Sequence, residues 1–130
     1  MTEPRDARPT ETSGGPAETS GGLWVEHSWE SERLVLVLHG DLDLDTLAAA
    51  QHEVAAAEGQ EPAVLVLDLS QLEYVDSSGV RLVLLAQHLA DDANRRLGVR
   101  LGHGPTRRVF DMLGITGRLE VLDDGEASSS

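Results

Sequence analysis

The spacing of apolar positions changes several times along this chain, and each change marks an element. Leu23 to Trp29 and Leu34 to His39 read as strand-like runs, and the polar Glu30, Ser31, Glu32 and Arg33 between them suit an antiparallel pair. A helical period follows, in which Leu47, Ala50, Val54 and Ala57 recur on one face, with Asp45 placed to cap the helix and Gly59 to close it. Val64 to Leu69 (VLVLDL) is almost continuously apolar, as expected of a strand covered on both faces.

The helical period then returns. Leu82, Leu85, Ala86, Leu89, Ala90 and Ala93 form its stripe, and Val80, Val83 and Leu84 widen it, so the first half of this helix is expected to be deeply buried. Leu97, Val99 and Leu101 alternate as a short strand. Pro105 opens a short helix carrying Val109, Phe110 and Leu113, with Gly114 at its end and Ile115 beyond; a last strand fits Leu119 to Leu122.

The predicted order is β-β-α-β-α-β-α-β, an α/β domain with a mostly parallel mixed sheet whose first strand is antiparallel at an edge. Parallel strands share a direction. Asp41 and Asp43, Asp76 to Gly79, and Gly102 to Gly104 should therefore converge at one end of the sheet, where open α/β sheets place their binding surfaces.

Flanking segments read differently. Residues 1–22 are mostly Pro, Gly, Ser, Thr and Glu, with almost nothing apolar and ETSGG twice, at Glu11 to Gly15 and Glu18 to Gly22, and lack apolar area to offset ordering entropy. A disordered tail is expected there and again over 124–130, leaving 23–123 as one domain, a size that suits a single core.

Charge and missing residue types narrow the chemistry. The chain has 130 residues, 23 of them acidic against 10 basic, and every basic residue is arginine; the formal net charge is -13. A sequence-independent grip on nucleic acid or anionic lipid is disfavoured by that balance, and a partner protein or basic surface is favoured. Without cysteine there is no disulfide or thiolate site, and without lysine no Walker lysine, Schiff base or kinase phosphate-binding lysine. No apolar run reaches the roughly 20 residues that span a bilayer, and no apolar signal core stands at the N-terminus, so the expected location is cytoplasmic. His27, His39, His52, His88 and His103 are scattered without ligand spacing, so neither a metal nor a cofactor is expected.

The candidate chemistry lies in YVDSSGVRL, Tyr74 to Leu82, where a strand pattern gives way to a helix pattern. Several roles are open. Asp76 can accept from first-turn N–H groups while Gly79 permits close packing. A serine nucleophile at a strand-helix elbow wants flanking glycines, and Val75 and Ser78 stand there instead. A phosphoaspartate receiver would use Asp68 at a strand end, but the acidic cluster after the first strand and the lysine of such domains are absent. Finally, a serine at an exposed helix N-terminus is open to a kinase, and phosphate is tolerated at the positive end of the helix dipole.

GDLDLDT (Gly40 to Thr46), VLVLDLSQLEYVDSSGVRLVL (Val64 to Leu84) and PTRRVFDMLGITGRLEV (Pro105 to Val121), taken together and in that order, resemble the STAS domain of bacterial anti-sigma factor antagonists. The resemblance runs from about Trp24 to Leu122. It implies a non-enzymatic, phosphorylated switch protein in transcription regulation: the unphosphorylated form binds a serine-kinase anti-sigma factor and releases a sigma factor, the kinase then phosphorylates Ser77, and a metal-dependent serine phosphatase resets the cycle. Partner contacts would fall on Asp43, Asp76, Ser77, Ser78 and Gly79, and a weak homodimer is compatible with this reading. The same domain also serves as a non-switching scaffold in a stress-sensing assembly or a lipid-transport ATPase complex. Family members often end in a further helix, whereas here a Gly-Glu-Ala-Ser tail follows Asp124.

Overall fold

The computed structural model describes residues 17–20, by their backbone, and 22–122. Strands β1 (Ala17–Ser20), β2 (Leu23–Glu30) and β3 (Arg33–Leu42) lead into helix α1 (Leu44–Glu58) and strands β4 (Val64–Asp68) and β5 (Leu72–Val75). Helix α2 (Ser78–Asp92), strand β6 (Arg96–Arg100), helix α3 (Pro105–Met112) and a 3₁₀ turn (Thr116–Arg118) complete the described chain.

The described strands form one six-stranded sheet in the order β1-β2-β3-β4-β6, with β5 paired to the end of β3. β2 and β3 run antiparallel about a two-residue turn that pairs Glu30 with Arg33, while β3, β4 and β6 are parallel, as the apolar runs predict. Leu65, Val66 and Leu67 of β4 are all fully buried, which accounts for the unbroken apolar run in VLVLDL. Helices cover the sheet face that carries Leu34, Leu36, Leu38, Leu65, Leu67, Leu97 and Val99; Val54 and Ala57 of α1, Val83 and Ala86 of α2 and Phe110 of α3 close that core.

Several expectations change. β2 is not the edge: Ala17–Ser20, from the segment expected in the N-terminal tail, pairs antiparallel with β2 through Ala17 and Val25, Glu18 and Trp24, and Ser20 and Leu23. The remainder of that expected tail, apart from Gly22, and the expected C-terminal tail lie outside the described residues. Strand β5 had no separate signal, because its four residues LEYV are too few to show a period. The last strand shrinks to one parallel bridge between Val99 and Val121, made by the Val99 N–H to the Glu120 carbonyl and the Leu122 N–H to the Val99 carbonyl.

Two helix details also differ. Gly59 sits at the end of α1, but with φ -65 it uses no conformation reserved for glycine. Leu84 is exposed rather than part of the widened stripe, because the buried face of α2 runs through Leu82, Val83, Ala86 and Ala90, and Leu84 lies on the opposite side of the helix. By contrast Gly114, with φ 73, takes the left-handed position after α3. Its N–H donates to the Asp111 carbonyl and that of Ile115 to Phe110, the paired bonds that close a helix at glycine.

The C-terminal bridge is held beside a charge pair. Arg96 Nε donates to Glu120 Oε1 at 3.0 Å and Nη2 reaches Glu120 Oε2. Hydrogen bonding to Arg96 holds the Glu120 carboxyl below its ordinary value, and Glu120 raises Arg96. A carboxylate lowered in the folded state stabilises above its unfolded value and loses that contribution as the pH falls through the folded value. Protection of the Val99 and Leu122 amides against exchange, measured by NMR across the acid range and corrected for the intrinsic rate, should therefore fall selectively below the ordinary carboxylate range. Glu120→Gln should remove the selectivity.

Candidate functional site

The end of the sheet is built by a short parallel pairing. β5 runs beside the last residues of β3, with Gly40 opposite Leu72, Asp41 opposite Tyr74 and Leu42 opposite Val75. The Asp76 N–H continues this ladder to the Leu42 carbonyl at 3.3 Å. Asp43 and Asp76 are thus the next residues off two adjacent strand ends, and each begins a helix.

Asp43 starts α1. Its Oδ1 accepts from the N–H groups of Asp45, at 3.0 Å, and Thr46, at 3.1 Å; the Asp43 N–H donates back to Thr46 Oγ1 at 3.0 Å. This reciprocal pair satisfies donors that a helix start leaves open. Asp45 is therefore not the cap as predicted; it lies exposed in the first turn, where a negative charge still favours the helix dipole. Thr46 is buried and its hydroxyl also donates to the Asp41 carbonyl at 3.0 Å, tying the helix start to β3.

The start of α2 is arranged differently. Asp76 Oδ1 accepts from the Ser78 N–H at 2.8 Å, while Ser77, the residue at the cap position, has φ -63 and makes no side-chain cap bond. Ser77 is exposed, whereas Ser78 is only 4% exposed and Gly79 is buried. A Cβ on Gly79 would stand 2.6 Å from Val75 Cγ2 and 3.3 Å from Phe110 Cε1, so only glycine lets α2 approach β5 and α3 this closely. Of the expected contact residues, Ser77 alone is exposed; Asp43 and Asp76 are half-buried, and Ser78 and Gly79 face inward.

The third converging segment follows β6. Gly102 has φ +69, and a Cβ there would lie 2.7 Å from Ser70 Cβ. Thr106 Oγ1 donates to the Leu69 carbonyl at 2.8 Å and Arg107 Nε to the Gly102 carbonyl at 3.0 Å. Gly102 to Gly104 therefore reaches the same end of the sheet, as predicted, and His103 is exposed there.

Competing chemistry finds little support. Asp68 is engaged by the Ser70 N–H at 2.9 Å and by the Ser70 hydroxyl, and lies 3.8 Å from Arg100, so it is not displayed as a receiver's acceptor would be. His27 is bound to Glu53 at 3.1 Å and His39 to Glu26 at 2.8 Å, and His88 lies 3.5 Å from Asp92. Among the described residues no group of three or more His, Asp or Glu could hold a metal ion, and no helix is long and apolar enough to cross a membrane.

Known proteins resemble the chain in sequence and in fold. A family model described as Mlab, STAS domain, matches residues 25–123. The chain belongs to the STAS domain family. Anti-sigma-F factor antagonist RsfB of Mycobacterium tuberculosis, in strains CDC 1551 and H37Rv, is 31% identical to the chain over 81 residues, which cover 62% of the chain. The same stretch spans 66% of the length of RsfB. Among solved structures, an anti-sigma factor antagonist from Mycobacterium paratuberculosis superposes with a TM-score of 0.68 at 23% identity, covering 82% of the chain and 88% of its own. SpoIIAA in its unphosphorylated form gives 0.66 at 21% identity over 81% and 91%, and the Bacillus determinant SpoIIAA in its phosphorylated form gives 0.59 at 23% over 81% and 96%. These likenesses establish the STAS fold.

The two aspartates at the front of α1 have separable effects. Asp43→Ala removes two accepted hydrogen bonds and should cost about 1 kcal/mol in chemical denaturation, within a usual range of about 0.5–2. Asp45→Ala should change stability by no more than roughly 0.5 kcal/mol.

Proposed function

We propose that this chain is an anti-sigma factor antagonist controlled by phosphorylation of Ser77. In the unphosphorylated state the end of the sheet around Asp43, Asp76 and Ser77 binds an anti-sigma factor that is itself a serine kinase, and a sigma factor is released. Transfer of phosphate to Ser77 ends the contact, and a metal-dependent serine phosphatase restores it. The chain acts by binding and turns over no substrate of its own. Support for the antagonist role comes from the 31% identity to RsfB over 81 residues.

The observation that carries the site assignment is the opposite burial of the two adjacent serines. Ser77 is exposed at a helix start with its hydroxyl unused as a cap, while Ser78 is 4% exposed. A kinase can reach the first and not the second. The inward residues then have a supporting role: Ser78 receives the Asp76 bond through its N–H, and Gly79 sets the depth at which the helix begins.

The physics of the switch follows from charge. A phosphate brings roughly -1.5 to -2 charges beside the carboxylates of Asp76 and Asp43. Even against a partner surface complementary to those acids, the bulk of the phosphate in a closely fitted contact and the cost of desolvating it oppose docking, and each ~1.4 kcal/mol is tenfold in affinity. The positive end of α2 makes the phosphate tolerable to the fold itself.

Incubation of the protein with ATP and each histidine-kinase-like anti-sigma factor of its genome, read by intact mass and peptide mapping, tests the assignment. One phosphate on Ser77 is expected, absent from Ser77→Ala and retained in Ser78→Ala. Ser77→Ala should bind the kinase while Ser77→Asp binds roughly tenfold or more weakly. Equal affinities would end the charge-switch account, and no phosphate with any candidate would turn the assignment to a non-switching scaffold.

A further inference from the structure

We infer that Leu44 and Tyr74 are the apolar anchors of the contact around Ser77, and that the protein surface they enter is an apolar pocket with a basic rim. The inference rests on the antagonist reading and names the chemistry of its partner. Leu44 is 70% exposed and Tyr74 51% exposed, although buried Leu42 and Thr46 lie two positions to either side of Leu44 and buried Val75 adjoins Tyr74. Neither belongs to the core. Exposed large apolar side chains beside a candidate contact are what a binding anchor looks like, since such contacts draw most of their energy from a few apolar or aromatic groups that become fully desolvated.

Their placement is set by the β3 and β5 pairing. Tyr74 stands opposite Asp41, and Leu42 opposite Val75. Leu44 follows Asp43 at the first position of α1. Strands in register lie about 4.8 Å apart, so both side chains originate within two residues of a single backbone pair, next to the aspartates that start α1 and α2.

The surroundings fix the sign of the partner. Asp41, Asp43, Asp45 and Asp76 lie on these same few residues at the strand ends and helix starts, and the chain as a whole carries a formal charge of -13. The first cation after Ser77 is Arg81, a turn further along α2. A surface with arginine or lysine around an apolar centre complements this arrangement, whereas a nucleic acid or an anionic membrane would be repelled by it.

Two contributions to affinity should separate. The aspartates at the helix starts supply the electrostatic part, which salt screens, while Leu44 and Tyr74 supply apolar burial that salt leaves nearly unchanged. Binding would be measured for the unphosphorylated protein and its variants Leu44→Ala, Tyr74→Ala and Ser77→Asp with the anti-sigma factor that phosphorylates Ser77, at low and high salt. Thermal melting would hold the fold constant, and intact mass would follow phosphate transfer.

Each alanine variant is expected to weaken binding roughly tenfold or more with its salt dependence kept, whereas Ser77→Asp weakens binding without losing the salt dependence. Alanine variants that melt as the parent and bind within twofold of it, while Ser77→Asp binds poorly, would overturn the anchors and leave the antagonist reading standing. Parent binding that is indifferent to salt would overturn the basic rim. Failure of every candidate kinase to bind the parent protein would remove the antagonist reading, and this inference with it.

Discussion

Close packing at Gly79 is the constraint on which the rest of the functional end depends. The glycine lies among Val75 of β5, Phe110 of α3 and Leu42 of β3, with no space for a Cβ against Val75. Four elements therefore meet at one point. Because Leu42, Val75 and Phe110 are themselves buried, a shift there would have to move a strand end or a helix rather than a side chain in solvent. Depth and direction of α2 are fixed by this contact, and with them the position of Ser77 two residues earlier.

Around that point the backbone carries the polar connections. Asp76 extends the β5 ladder to Leu42, and its carboxylate then bonds forward to Ser78; Thr46 bonds back to Asp41 while exchanging bonds with Asp43. Each aspartate thus satisfies helix N–H groups on one side and continues a strand on the other. Local capping and long-range sheet pairing reinforce each other, which is the consistency expected of a unique native arrangement. The hydroxyl of Ser77 makes no cap bond in this network, so added charge there would break none of these contacts.

Elsewhere in the domain, ion pairs contribute to different extents according to their burial. Glu58 and Arg95 join the end of α1 to the approach of β6, both largely buried, and Glu58 Oε2 has no hydrogen-bond partner. Arg100, also buried, lies 3.6 Å from Glu30 and 3.8 Å from Asp68 on the sheet face away from the core helices. Such pairs constrain which elements meet more than they add net stability, because desolvation offsets much of their attraction. Apolar packing of β3 and β4 remains the main cohesive contribution.

Much of this was legible in the residues. The apolar run VLVLDL showed a strand buried on both faces, helix-period positions showed α1 and α2, and Pro105 with Gly114 bracketed α3. The alternation of strands and helices then required the segments after β3, β4 and β6 to reach one end of the sheet. Between neighbours the sequence pattern misled, favouring Asp45 rather than Asp43 as the cap and Leu84 as inside rather than outside, and the residues alone gave no order of exposure for Ser77 and Ser78. The members of each pair have the same local propensity, and the outcome depends on the angle at which a helix leaves the sheet. That angle is decided by β5, four residues without a legible period, pairing with β3 across more than thirty positions of chain. Sequence determined which elements form, because periodicity is a local property; tertiary structure alone decided which side chain of each pair meets solvent, because burial is set by what a distant segment covers.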